Sequence, residues 1–182
     1  MNLTGNAPND ERYTPPSIIR LVRRVMGGID CDPATCEAAQ AVVKASTWYG
    51  KDDDGRNRPF IGRVFLNPPY SSPLLYQFVL ALLRERAAGR CTEAIVLTNN
   101  ATETRAIQTL MRGCDCVCLI VGRVAFLGAD LDGKTGGYQG QILTYFGKRA
   151  ARFARVMSEV GTCWCPSSVR QAGLFEEVDH VD

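Results

Sequence analysis

The chain has 182 residues, 46% hydrophobic and 22% charged, which excludes a disordered or collagen-like polypeptide and suits one globular domain. A formal charge of +2 does not mark a nucleic-acid binder, yet it permits one, because phosphate binding needs a local basic patch rather than a high total. No window reaches the ~18 apolar residues of a membrane span, and Met1 to Asn6 lacks a signal-peptide core, so a cytoplasmic protein without membrane contact is expected.

Residues 1–12 are polar, with Gly5, Pro8 and Asn9, and read as a flexible arm. Thr14 followed by Pro15 and Pro16 marks a helix start, and Ile18, Ile19, Leu21, Val22 and Val25 recur at helical spacing until Gly27-Gly28 closes the element. Ile29 to Pro33 reads as a short strand ending in acid and proline, with Asp30 and Asp32 on the same side. A carboxylate at the carboxyl end of such a strand can accept both hydroxyls of a ribose. Asp32 could equally cap the helix expected over residues 34–45, and the two aspartates could divide these roles.

Trp48 to Pro59 is a polar loop. Its Asp52-Asp53-Asp54 run lacks calcium-loop spacing, so a solvated turn is expected, with Asp53 or Asp54 near the adenine of a bound nucleotide-like group. Arg63 to Leu66 suits a buried strand. Pro68 and Pro69 can supply no ladder N–H and must end it, which delivers Asn67 to a loop at the carboxyl edge, where ligands of open α/β sheets bind.

After Ser71-Ser72-Pro73 a helix carries Leu74, Leu75, Phe78, Val79, Leu82 and Leu83 on one face and ends at Gly89. Ala94 to Thr98 reads as a buried parallel strand, residues 103–111 as a helix and 114–121 as the next strand, leading to Arg123. Gly128 to Gly140 is a glycine-rich mobile loop, Gln141 to Phe146 a last strand, and Lys148 to Arg155 a basic helix whose Lys148, Arg152 and Arg155 share a face that could track a phosphate backbone. Alternating strands and helices predict an α/β fold with a mostly parallel, doubly wound sheet. The eight cysteines include no C-x2-C pair, and the one histidine lies near the end, so no metal site is expected; most cysteines should be buried thiols.

Asn67-Pro68-Pro69-Tyr70 resembles the catalytic motif of amino-group methyltransferases. In order along the chain, Tyr13 to Pro16, Ile29 to Ala34, Trp48-Tyr49, Asp53 to Gly55 and Gly62 to Tyr70 resemble the phage-type DNA N-6-adenine methyltransferase (Dam-like) family, over about residues 12–147. The resemblance implies a compact Rossmann-like fold over residues 13–160, S-adenosylmethionine as cofactor, DNA as partner, and host cytoplasm as location if the gene is phage-borne. Residues 161–182 form an extension of unassigned role.

In this reading the Asn67 oxygen and the Pro68 carbonyl accept the N–H groups of an exocyclic adenine amine, Pro69 completes the turn and Tyr70 stacks on the base, with no general base required. Asn-Pro-Pro-Tyr also serves enzymes that act on RNA bases or a protein glutamine amide, so the alternative readings are a methyltransferase of one of those kinds or a non-catalytic relative that only binds DNA. The glycine-rich G-x-G turn of many methyltransferases is absent, since Asp32-Pro33-Ala34-Thr35-Cys36-Glu37 stands in its place. Tyr13, Thr14 and Pro15 are then the implied holders of the cofactor's amino-acid end, with Asp30 or Asp32 at its ribose. Arg123 and the Gly128 to Gly140 loop would read a short DNA sequence.

Overall fold

The computed structural model describes residues 13–128, 134–136 and 139–166. The expected arm over 1–12, most of the expected 128–140 loop and the chain from 167 onward lie outside the described residues.

The chain opens with α1 (Pro16–Met26). Pro16 occupies its first turn, where a missing N–H costs nothing, and Gly27 at φ 81° ends it by returning its N–H to the Arg23 carbonyl. Then follow β1 (Cys31–Asp32), α2 (Glu37–Val43), β2 (Thr47–Trp48), β3 (Gly62–Leu66), α3 (Leu74–Ala87) and β4 (Cys91–Asn99). The last part comprises α4 (Arg105–Gly113), β5 (Cys116–Ile120), β6 (Ala125–Leu127), β7 (Lys134–Gly136), β8 (Gln141–Phe146), α5 (Ala150–Met157) and β9 (Gly161–Trp164).

Seven strands form one sheet in the order β2-β1-β3-β4-β8-β5-β9, and β6 with β7 makes a separate ribbon. Side-chain alternation along β3 and β4 divides the interior into two cores. Phe65, Ile95 and Leu97 pack with Val22 and Val25 of α1 and Phe153 of α5, while Val64, Leu66 and Val96 pack with Val79 and Leu82 of α3 and Ile107 of α4. Helices therefore cover both faces, as the alternating pattern predicted.

The sheet is parallel only from β2 to β4; β8 enters antiparallel between β4 and β5, and β9 pairs antiparallel with β5 at the edge. The expected mostly parallel sheet is thus mixed. A strand that lies between two earlier strands is a matter of topology, and no local pattern announces its direction. Cys163 and Trp164, whose spacing already looked strand-like, extend the sheet beyond residue 160. Six cysteines are free thiols, and Cys116 and Cys165 form a disulfide across β5 and the chain leaving β9.

At the amino edge, two buried carboxylates are paired with arginines that remain partly exposed. Glu93 accepts from the Tyr145 hydroxyl at 2.7 Å and pairs with Arg149. Glu85, with its side chain 2% exposed, takes Arg90 at 2.6 Å and Arg84 at 3.0 Å. Arg90 is the main reason that the Glu85 carboxyl falls to about 2.

Candidate active site

β1 leads through α2 outward to β2, whereas β3 leads through α3 the other way to β4. The chain reverses direction between β1 and β3, and a crevice must open above their carboxyl ends. A cavity of about 590 Å³ lies there, lined by Tyr13 and Thr14, the loop Asp32 to Cys36, the segment Gly50 to Arg56, and Asn67 to Tyr70. Its size falls within the range of small-molecule sites, ~300–1,000 Å³.

Asn67 is the first residue past β3, and its amide is held from two sides. Its Nδ2 donates to the Thr14 hydroxyl at 3.2 Å, and its Oδ1 accepts from the Tyr70 hydroxyl at 3.0 Å. Thr14 is 2% exposed, so this contact is shielded from water. Because Nδ2 donates to Thr14, the amide oxygen keeps a defined direction. Pro68 is buried and Pro69 half-buried, and both line the cavity.

The Tyr13 segment reaches the site because its backbone bridges β6, with N–H to carbonyl distances of 3.1 and 3.0 Å to Leu127. Pro15 does not line the cavity; it caps α1, its carbonyl accepting from Ile18 and Ile19. Of the expected trio, Tyr13 and Thr14 alone meet the cleft, and Thr14 does so by orienting Asn67.

The two aspartates separate. Asp30 precedes β1 and is bound by Arg63 through Nε at 2.7 Å, NH2 at 2.5 Å and the backbone N–H at 2.8 Å, with its carboxyl held below the usual range by that partner. It is a brace between the starts of two strands and does not reach the cavity. Asp32 lies one strand repeat further on, 2% exposed, on the cavity wall. Burial pushes its carboxyl up to about 7, against hydrogen bonds from Ala34, Thr35 and Gln40 that pull it down. Near neutrality such a group can both donate and accept.

Two lining groups carried no sequence signal. Lys51 and Arg56 come, with Asp54, from the polar loop, folded here into two 3-10 turns, and Arg56 meets Asp54 at 2.6 Å. Of the aspartates in that loop, Asp54 lines the cavity and Asp53 turns back to the Gly50 N–H at 2.8 Å. Gly55 is buried against Pro33, which brings the two cavity walls into contact.

The basic residues of the expected DNA surface divide as well. Arg123 is exposed just past β5, at the same carboxyl edge as Asn67. Lys148 and Arg152 stand at the opposite edge, because β8 runs antiparallel from Gln141 beside Asn99 to Phe146 beside Ala94, and α5 starts from there. Arg152 donates to the Arg24 carbonyl through Nε at 2.8 Å, tying α5 to α1. Arg155 is exposed near the far end of α5, from which the chain enters β9 beside Ile120. The start of the α5 face, with Lys148 and Arg152, therefore lies at the edge opposite the loop carrying Asn67. Spacing on a helix shows that residues share a face; it does not show which edge of the sheet the face adjoins.

A buried carboxyl on one wall and an oriented amide on the other, at the turning point of a mixed sheet, define an α/β protein with a ligand cleft at its carboxyl edge. The chain belongs to the DNA N-6-adenine-methyltransferase (Dam) family, whose profile matches residues 3–162. No curated protein matches it. Among the described residues, no helix is long and apolar enough to cross a membrane.

Proposed function

We propose that the chain is an S-adenosylmethionine-dependent DNA adenine-N6 methyltransferase with a compact Rossmann-like fold. The observation that carries this reading is the convergence of Asn67 to Tyr70 with Asp32 in one cavity at the β1/β3 turning point. The lining chemistry fits the cofactor. Asp32 offers a carboxyl to hydroxyls, the aromatic and proline rings of Tyr13 and Pro69 offer flat apolar surface, and Lys51 and Asp54 offer charges of both signs to an amino-acid zwitterion. When bound, S-adenosylmethionine supplies a methyl group on a positively charged sulfur.

The protein's own task is positioning. Asn67 Oδ1, turned by Thr14, accepts one N–H of the adenine amine, and the Pro68 carbonyl accepts the other. Both acceptors draw the nitrogen toward a tetrahedral geometry and raise its nucleophilicity. The amine's proton becomes acidic only as the new bond forms, so no side chain is assigned as a general base. Tyr70 holds the base while its hydroxyl keeps Asn67 in place.

The adenine has to leave the duplex stack to enter the cleft, at a cost of a few kcal/mol offset by these contacts. DNA approaches over the carboxyl edge, where Arg123 is exposed, rather than over α5. With so small a domain, a short recognition sequence is expected. Calorimetric titration with S-adenosylmethionine tests the cofactor assignment: one site per chain, competed by S-adenosylhomocysteine, is the expected result, and absence of binding would overturn it.

A further inference from the structure

The loop from Pro33 to Cys36 forms a cavity wall without any glycine, so something other than backbone freedom has to hold it there. The structure points to the side chain of Gln40, in the middle of α2 and outside the cavity itself. Its Nε2 donates to Asp32 Oδ2 at 2.9 Å and to the Thr35 hydroxyl at 3.0 Å. Its Oε1 accepts from the backbone N–H of Ala45 at 2.9 Å, just past the end of α2.

The Ala45 contact settles the orientation of the amide. A backbone N–H can be met only by the amide oxygen, so the nitrogen must face Asp32 and Thr35. One side chain thus ties the two ends of α2 to the end of β1. The loop is also fastened on its other side, where the Thr35 N–H donates to the Tyr49 carbonyl at 3.1 Å and the Tyr49 N–H to the Asp32 carbonyl at 3.0 Å.

We propose that Gln40 is a positioning residue of the cofactor cleft, fixing the Asp32 carboxyl and the Thr35 hydroxyl where a glycine turn would otherwise present backbone to the ligand. The inference rests on the S-adenosylmethionine reading above. Gln40 touches no ligand; its effect passes through Asp32 and Thr35. Removing the amide frees the Asp32 carboxylate to rotate and leaves it short of a donor inside a dry wall, so the ligand meets a disordered partner.

Two variants test it on the full-length protein. Gln40→Leu is expected to weaken S-adenosylmethionine binding by about tenfold or more, as loss of a hydrogen bond to a charged group does, with DNA binding within about threefold of the parent. Gln40→Glu separates positioning from mere helix packing. Its one oxygen still accepts from Ala45, but the other can donate to Asp32 only while a proton is shared between the two carboxyls.

The charged groups lining the same cavity are Lys51, Asp54 and Arg56, with Asp54 occupied by Arg56, and Asp32 itself is faced by Ala34, Thr35 and Gln40. Affinity of the Glu variant, relative to the parent at each pH, should be near unity at about pH 5.5 and fall about tenfold by about pH 8, as the shared proton is lost and like charges face each other. The Leu variant, which can share no proton with Asp32, should already be weakened about tenfold at about pH 5.5, where the Glu variant is not. A parent that binds S-adenosylmethionine with both variants matching it at every pH would overturn the role of Gln40 and leave the cofactor reading standing. A parent that fails to bind would overturn the cofactor reading and this inference with it.

Discussion

Replacing Asn67 with alanine is expected to lower methyl transfer by about 10²- to 10³-fold, the scale seen when one oriented polar group is removed from a reacting centre, while S-adenosylmethionine binds within a few fold. The asymmetry follows from where the amide sits. Asn67 leaves β3 at the carboxyl edge with Nδ2 on Thr14 and Oδ1 on Tyr70, apart from the loop wall around Asp32, and in the proposed reaction its oxygen meets the incoming amine. Truncation removes the acceptor and also the anchor of the Tyr70 hydroxyl. The loss should appear in kcat more than in cofactor affinity. Single-turnover methylation alongside calorimetry checks this, and a variant retaining parental turnover would remove Asn67 from the reaction.

Gly55→Ala should lower thermal stability and cofactor affinity together. A Cβ at residue 55 would stand 1.9 Å from the Pro33 carbonyl oxygen, 3.0 Å from its carbon and 3.3 Å from the Tyr49 Cβ. The first two are backbone atoms of the opposing cavity wall and cannot swing aside. The segment Gly50 to Arg56 must therefore separate from the loop Asp32 to Cys36, at an overpacking cost of about 1–3 kcal/mol. For a chain of this size each kcal/mol lowers Tm by about 2–4 °C. Gly50→Ala is the matched control, since the nearest atoms to its Cβ lie at 3.6 Å, an ordinary contact. Thermal melts and titrations on both variants should show Gly55→Ala impaired in both readouts and Gly50→Ala close to the parent.

What was legible in the sequence depended on the range of the cause. α1 could be read from Pro16 and Gly27, and β3 from an apolar run ended by two prolines, because capping and ladder termination are local. The placement of Asn67 at a ligand edge followed from the same local logic. β1 was read as a short strand from its acid-proline ending, but β2, with two residues, is too short for periodicity to register and was read as the start of a loop.

Non-local relations were not legible. Asp30 and Asp32 look equivalent until Arg63, thirty-three residues away, is seen to claim Asp30. Lys148 and Arg152 look like a phosphate track until the direction of β8 sends them to the far edge. Thr14 was expected at the cofactor; it lines the cavity and also holds the Asn67 amide, a contact that depends on the bridge between Tyr13 and Leu127. Gln40 gave no motif at all, because its partners lie five and eight residues back and its purpose shows only in the wall it holds.

The most direct test of the proposed chemistry is a methyl-labelled S-adenosylmethionine assay offering DNA, RNA and protein together, followed by mass analysis of the digested products. Labelled N6-methyladenine in the DNA, reduced about a hundredfold or more by Asn67→Ala, is the predicted result. Label confined to RNA or to a protein glutamine, or DNA methylation indifferent to Asn67, would contradict it.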